Sequence, residues 1–396
     1  ISITPLDIKD ANASASSEID GETGYTEYAS YFIGTGVANR GDENVADVTV
    51  NLAPEGTSWY TEKYPILPAN GIDADYAGTI VHEMVHAMGV GCFNMAEDEE
   101  DATQKYFNLS QPLNFTSGLY DAFGRSIGSA PNQIKHENGL VSITSIEKEQ
   151  YDILKEKNID EIPKNTFYVV KDDTFGFYGG VYFKGDKVKE VLGNDTKIAW
   201  PNGVDLPAVN GIPIECYEYE NLDLSHLELQ NGLMSHQNYR NWCTLMEAEL
   251  AVLQDIGFTG IDRKKFFGKS IYANNTTDSI ATSWTSSSDR AIGLHVYGSN
   301  NKVSLTDNAD ITASGDYSMG VRVDGSQNDL TIASGNVIAV NGEEGNGIAV
   351  TYGKNHNISI ASGAAVTAMG DGGIGARFDF GSNELGDRTE YRGSYI

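Results

Sequence analysis

Cysteine is scarce in this chain of 396 residues, which carries only Cys92, Cys216 and Cys243. Three scattered thiols are too few for a disulfide framework or for a four-cysteine zinc module. One bridge, between Cys216 and Cys243, would be expected in an oxidising compartment, and three unreactive buried thiols are the alternative. The spacing of the cysteines does not decide between the two.

Basic residues are also few, because 27 lysines and arginines face 56 aspartates and glutamates and leave a formal net charge of −29. This charge repels phosphate backbones and anionic membrane surfaces, so nucleic acid is not expected as a partner. An acidic chain could also bind calcium, but the sequence contains no twelve-residue loop of the EF-hand type. A calcium site is therefore unsupported.

Long hydrophobic runs are missing as well. No stretch of about 18 apolar residues occurs, so we expect no helix that spans a membrane. The first residues, Ile1–Pro5, lack the basic and apolar segments of a signal peptide. If the protein is exported, we expect its signal peptide to have been removed before this numbering begins.

Length and glycine content indicate two folded parts. A chain of 396 residues exceeds what one hydrophobic core usually covers, and 43 glycines favour many tight turns. We predict an α+β domain over 1–262, with a large insertion at about 93–220, and a repeat domain over 263–396.

Two helices and one strand of the first domain can be predicted from their patterns. Alternation over Asp47–Leu52 places Val48 and Val50 on one face of a half-buried strand. Apolar residues recur every fourth position from Tyr76 to Gly89, which is typical of a largely buried helix. Thr244–Glu247 has the form of a capping box and predicts the start of a second helix.

The insertion has no single pattern. Residues Ser145–Asn158 have helical spacing, whereas Phe167–Val170 and Gly180–Phe183 are typical of short strands.

The second domain repeats. Similar segments occur at Gly293–Gly298, Gly320–Gly325 and Gly347–Gly353, and each is followed by two further strand-like segments and by turns. A unit of about 27 residues with three short strands predicts the coil of a parallel β-helix. A fourth unit begins at Gly375 and the chain ends soon afterwards, so we expect the native array to continue further.

The stretch His82–His86, with the sequence His-Glu-Met-Val-His, is the clearest candidate for a functional site in the sequence. Residues four apart lie on one face of a helix, so His82 and His86 are spaced for two ligands of a tetrahedral zinc ion. Glu83 is placed to act as general base towards a water molecule without being a ligand. The alternative is a pair of core histidines hydrogen-bonded to the backbone.

A catalytic zinc ion needs a third protein ligand and an open position. Since His295 and His356 belong to the repeats, the remaining candidates for the third ligand are His136, His226 and His236.

At its zinc motif the chain resembles the metzincin peptidases in their leishmanolysin-like form. The segment His82–Gly89 is similar to the zinc helix of that family, although Cys92 stands near the place where most metzincins have their third ligand. Leishmanolysin-like peptidases have a long insertion there, followed by Ser-His and then Leu-Met, as in Ser225-His226 and Leu233-Met234 here. The segment Leu253–Phe258 is similar in sequence to the end of the next helix in that family.

The resemblance implies a metzincin-like fold with His226 as third ligand. It also implies that Leu233 and Met234 form the turn called the Met-turn, in which Met234 provides an apolar floor to the metal site. His236 would steady the transition state, as a tyrosine does in some metzincins, or would replace His226 as ligand. Tyr239 is a second candidate for the steadying role.

These assignments predict a zinc endopeptidase. Zinc would lower the pKa of a water molecule, Glu83 would take its proton, and the hydroxide would attack the scissile carbonyl. We expect a monomer that acts on protein or peptide substrates. The extended substrate would pair with an edge strand, for which Asp47–Leu52 with Val48 and Val50 is the candidate.

The repeats resemble the passenger stalks of bacterial autotransporters. This resemblance implies a right-handed parallel β-helix and a location outside the cell or on the bacterial surface. The alternative function is that of a surface adhesin whose zinc domain is inactive or structural and whose β-helix binds a ligand. Glu83 argues against this alternative, because a structural zinc site needs no general base.

Overall fold

The structure is a computed structural model of the chain. It describes residues 2–6, 13–16, 47–51, 58–60, 73–92, 94–97, 104–109, 114–128, 133–134, 139–157, 159–172, 177–193, 211–216, 222, 224–227, 229, 232–235, 245–306, 309–351 and 355–378. None of the helices within these ranges is long and apolar enough to cross a membrane.

The first sheet has three strands in the order β1-β3-β2, with β1 over Ser2–Leu6, β2 over Ala13–Ser16 and β3 over Asp47–Asn51. Strand β3 pairs in parallel with β1 and antiparallel with β2. The prediction that this strand, with the buried Val48 and Val50, is an edge strand is therefore wrong. Both of its hydrogen-bonding sides are already occupied, so it has no free side for a substrate.

Helix α1 spans Tyr76–Ala87, as the apolar spacing predicts. It follows a short parallel pair formed by β4 (Ser58–Tyr60) and β5 (Asp73–Asp75). The chain leaves the helix through Gly89, whose φ of 104° lies in the left-handed region that favours glycine. This turn directs the chain away from the helix axis immediately after the histidine motif.

The described residues between 94 and 216 form two further sheets and three short α-helices. A five-stranded sheet has the order β11-β10-β9-β7-β6, and a three-stranded sheet has the order β13-β12-β8. Their bounds are β6 Met95–Glu97, β7 Lys105–Asn108, α2 Asn114–Ser117, β8 Leu119–Tyr120, β9 Leu140–Glu147, α3 Lys148–Leu154, β10 Thr166–Asp172, β11 Phe177–Gly179, β12 Tyr182–Phe183, α4 Asp186–Leu192 and β13 Ile212–Pro213.

The predicted strand over Phe167–Val170 is confirmed in β10, and of the one predicted over Gly180–Phe183 only Tyr182–Phe183 forms a strand, β12. The helix predicted over Ser145–Asn158 is wrong at its start, because Ser145 still belongs to β9 and α3 begins at Lys148. The β-branched side chains of Ile143 and Ile146 are buried in β9, and burial against the sheet overrides the helical spacing.

Helix α5 spans Glu247–Asp255 and packs into the same hydrophobic core as α1 and β10, through residues that include Val85, Phe167 and Leu253. Its N-cap is Met246, whose backbone N–H donates to the Glu249 side chain at 2.7 Å. The helix thus begins two residues later than a capping box at Thr244 would place it, and Thr244 lies outside the described residues. A 3-10 turn follows at Arg263–Lys265.

From Phe267 onwards the chain forms three parallel sheets, and each coil adds one strand to each sheet. The sheet orders are β14-β17-β20-β23-β26, β15-β18-β21-β24 and β16-β19-β22-β25. The bounds are β14 Phe267–Asn274, β15 Thr277–Ile280, β16 Trp284–Ser286, β17 Ile292–Ser299, β18 Lys302–Leu305, β19 Ile311–Ala313, β20 Met319–Val323, β21 Asp329–Ile332, β22 Val337–Val340, β23 Asn346–Val350, β24 Asn357–Ile360, β25 Ala365–Ala368 and β26 Ile374–Arg377.

Register confirms the repeat length. Ile292 pairs with Met319 and Met319 pairs with Asn346, so successive coils are offset by about 27 residues. These three stacked parallel sheets have the arrangement of a parallel β-helix. A coil that the repeat pattern does not reveal, made of β14, β15 and β16, precedes the others. The domain boundary at 262 and the handedness of the coils stay predictions.

The sheet that contains β17 is covered on both faces. All eight residues of β17 are buried. Leu294 and Val296 belong to the core enclosed by the coils, whereas Tyr297 and Tyr272 of β14 belong to the core that contains α5. The β-helix therefore packs with the outer face of this sheet directly against the first part of the chain.

Candidate metal centre

Two elements bring three histidines together. Helix α1 presents His82 and His86 from consecutive turns, and His226 lies beside Leu227, which bridges antiparallel to Ile214. The three Nε2 atoms are 3.0 Å (His82 to His86), 3.1 Å (His86 to His226) and 3.2 Å (His82 to His226) apart. The residues are only 3%, 8% and 7% exposed, respectively, so they form a buried cluster.

The other ring nitrogen of two of these histidines contacts a backbone carbonyl. His82 Nδ1 lies 2.6 Å from the Leu233 oxygen, and His86 Nδ1 lies 2.6 Å from the Val90 oxygen. A carbonyl oxygen can only accept a hydrogen bond, so Nδ1 must carry the proton and donate it in both histidines. In each neutral imidazole, Nε2 is then left with a lone pair.

Nitrogen lone pairs that converge at about 3 Å repel one another unless a cation lies between them. A metal ion relieves this repulsion, and its imidazole ligands commonly donate their second N–H to a carbonyl or carboxylate. Nitrogen ligands at about 2.0–2.1 Å from a tetrahedral ion are about 3.3 Å apart. The observed separations of 3.0–3.2 Å are close to this value. His82, His86 and His226 therefore form a group that can hold a metal ion.

The Met-turn, defined as Leu233 and Met234, lies directly beside this cluster. Leu233 supplies the carbonyl that orients His82, and the Met234 carbonyl accepts the Leu227 N–H at 3.0 Å. Met234 is buried in the main hydrophobic core. The turn thus couples one histidine of α1 to the segment that carries His226.

A second contact ties the two ligand segments together. The Cys92 backbone N–H donates to Ser225 Oγ at 3.0 Å, so the chain just after α1 is bound to the residue before His226. Cys92 itself is buried. Its backbone takes part in holding the third histidine, while its sulfur accepts a long contact of 3.9 Å from the Thr116 hydroxyl.

Glu83 is 8% exposed and follows His82 on α1. Its role as general base stays a prediction. His236, Tyr239 and the further ligand candidate His136 lie outside the described residues. Cys243 also lies outside them, whereas Cys216 is buried with its Sγ 3.4 Å from the Ile214 carbonyl oxygen, so the predicted bridge stays untested.

One acidic residue near the centre was not among the predicted site residues. Glu249 of α5 is 1% exposed and its carboxylate accepts the Met234 N–H at 2.6 Å. Burial raises the pKa of Glu249 to about 7, and hydrogen bonds from Met234 and Met246 act in the opposite direction. The sequence signal for Glu249 was an acidic residue in the first turn of a helix, which is common and does not identify a partner.

A scan against protein-family models found no match for this chain, and neither did searches of curated proteins and of solved structures.

Proposed function

We propose that the chain is a zinc-dependent endopeptidase with His82, His86 and His226 as its metal ligands. The observation that carries the proposal is the convergence of three Nε2 atoms, two of them on imidazoles whose Nδ1 atoms are bonded to carbonyls. Among the described residues the group consists of three imidazoles, and three protein ligands with a fourth position for water are typical of a catalytic zinc site. A structural site would be closed by a fourth protein ligand.

Glu83 supports hydrolysis over simple metal storage. When bound, zinc polarises a carbonyl group and lowers the pKa of a water molecule towards neutrality. The Glu83 carboxylate accepts the proton of the attacking water and later donates it to the leaving amine. Successive residues of a helix are about 100° apart around its axis, so Glu83 can serve as the base next to the ligand His82 without itself binding the metal.

The remaining parts of the proposal rest on the sequence resemblances. We propose a metzincin-like peptidase domain in which Met234 lies under the metal site and His236 or Tyr239 steadies the transition state. We also propose an extracellular or bacterial-surface location, which the parallel coils of the second domain support. Protein or peptide chains are the proposed substrates.

The test compares the wild type with Glu83→Gln. We expect the variant to retain its zinc and to lose peptide cleavage by at least about 100-fold, since proton transfer by a positioned side chain contributes about 10²–10⁴-fold. A matched control is His356→Ala, which removes a histidine of the β-helix whose Nδ1 lies 3.3 Å from the Asn328 N–H, and which should leave both properties unchanged.

Cleavage that persists undiminished in Glu83→Gln would refute the assigned base. A wild type that binds zinc and cleaves no peptide in a broad library would refute the peptidase assignment.

A further inference from the structure

Glu249 joins the Met-turn to the start of helix α5. One carboxylate oxygen, Oε1, accepts the Met234 N–H at 2.6 Å, and the other, Oε2, accepts the Met246 N–H at 2.7 Å. A neutral amide could not replace both contacts, because it has one acceptor oxygen and an NH₂ group that only donates. The position of α5 therefore determines the position of the Met-turn.

The Met-turn in turn orients a metal ligand. Leu233, the residue before Met234, accepts the Nδ1–H of His82 at 2.6 Å. Such second contacts set the ring orientation of a ligating histidine, and their loss typically lowers metal affinity by about 10–100-fold. Only the backbone of Leu233 and Met234 thus lies between the Glu249 carboxylate and the hydrogen bond that orients the His82 ring.

The β-helix holds the other side of the start of α5. Tyr272 of β14 is buried in the same cluster as Ala248 and Ala251 of α5. Tyr272 Oη is 3.2 Å from His295 Nδ1, and His295 Nε2 is 2.6 Å from Asp324 Oδ2. These residues come from three successive coils.

Two further side chains complete this buried network. Arg322 Nε lies 2.8 Å from Asp324 Oδ2, and the Thr351 hydroxyl donates to the other oxygen of Asp324. Leu250 of α5 packs against a cluster that contains Ile292, Met319 and Ala349 from the same strands. The polar network therefore lies on the sheet face against which α5 packs.

This set is specific to the interface and does not repeat along the coils. His295, Arg322 and Ala349 occupy equivalent positions in successive coils, yet their side chains have unrelated chemistry. The residues that face the inside of the coils at neighbouring positions, such as Leu294, Val321 and Ile348, are all aliphatic. Burying a charged cluster is costly unless its geometry is held, so its presence only where α5 packs indicates a positioning role.

We infer that the buried polar residues on the outer face of the sheet that contains β17 are a positioning part of the metal centre. The residues Tyr272, His295, Asp324, Arg322 and Thr351 hold the start of α5, and Glu249 transmits that position through the Met-turn to His82. The inference rests on the metal site of the proposed function and not on peptide cleavage. None of the five residues is a catalytic residue.

The test measures the zinc affinity of the full chain by competition with a chelator. We expect Asp324→Asn to weaken zinc binding by about 10-fold or more, and Thr351→Val, which removes a single hydroxyl, to weaken it severalfold. The control is Asn336→Ala in the turn before β22. Asn336 is equally buried and donates to the Thr306 carbonyl at 2.6 Å, but it lies away from α5.

The absorption spectrum of the cobalt-substituted protein provides a second readout, because it reports the ligand geometry. Zinc affinity and cobalt spectra equal to the wild type in folded Asp324→Asn, or in Thr351→Val if Asp324→Asn does not fold, would overturn the inference. An equal loss of affinity in Asn336→Ala would also overturn it, since general destabilisation would then be the cause. A wild type that binds zinc but cleaves no peptide refutes the proposed function alone.

Discussion

The buried carboxyl group of Glu249 should make the stability of the protein depend on pH between about 4.5 and 7. Burial raises its pKa from 4.5 to about 7 in the folded chain. In this interval the folded state binds more protons than the unfolded state, so the free energy of unfolding must fall as pH rises. The raised pKa corresponds to about 3 kcal/mol, at about 1.4 kcal/mol for each tenfold change in the acidity constant.

The assay is urea unfolding of the metal-free protein at pH 5 and at pH 8, for the wild type and for Glu249→Gln. Other titrating groups, including the three histidines, contribute to both proteins and cancel in the comparison. The wild type should lose about 2–3 kcal/mol more than the variant between the two pH values. An identical pH dependence in the two proteins would refute the reasoning that burial raises the pKa of Glu249 to about 7.

Two further predictions concern the β-helix. The pKa of Asp324 is lowered to about 2 chiefly by Arg322, against the effect of burial, so its contribution to stability is present above about pH 4 and should be lost as pH falls towards 2. Urea unfolding of the wild type and of Asp324→Asn at pH 5 and at pH 2.5 measures this loss. An equal decrease in the free energy of unfolding of both proteins between the two pH values would contradict the prediction. In Gly320→Ala the new Cβ would lie 2.4 Å from Ile338 Cγ2, which should cost about 1–3 kcal/mol, whereas Gly260→Ala, with open space around it, should change the urea midpoint little.

The local patterns predicted elements well where the pattern and the packing agree. The bounds of helix α1 agree with the prediction within two residues. Of the apolar residues at every fourth position only Val85 is buried, whereas His82 and His86 are buried as well. The repeat length also agrees, because a glycine that faces the coil interior recurs at Gly293, Gly320 and Gly347. The first coil was missed because Ala273 stands where the next coil has Gly298.

Pairings between distant residues could not be predicted from local patterns. Strand β3 was recognisable as a strand, but its neighbour β1 lies more than 40 residues earlier, and alternation does not reveal which sides are occupied. The bond from His82 to Leu233 joins residues 151 positions apart. Only the resemblance to a family indicates His226 as the third ligand, since the sequence alone leaves three candidate histidines.

The central claim is that His82, His86 and His226 bind one divalent ion, and metal analysis of the purified chain tests it most directly. We expect about one equivalent of zinc per chain in the wild type and in the control His356→Ala, and less than about a tenth of an equivalent in His226→Ala. A wild type without a stoichiometric metal ion, or an unchanged zinc content in His226→Ala, would contradict the account.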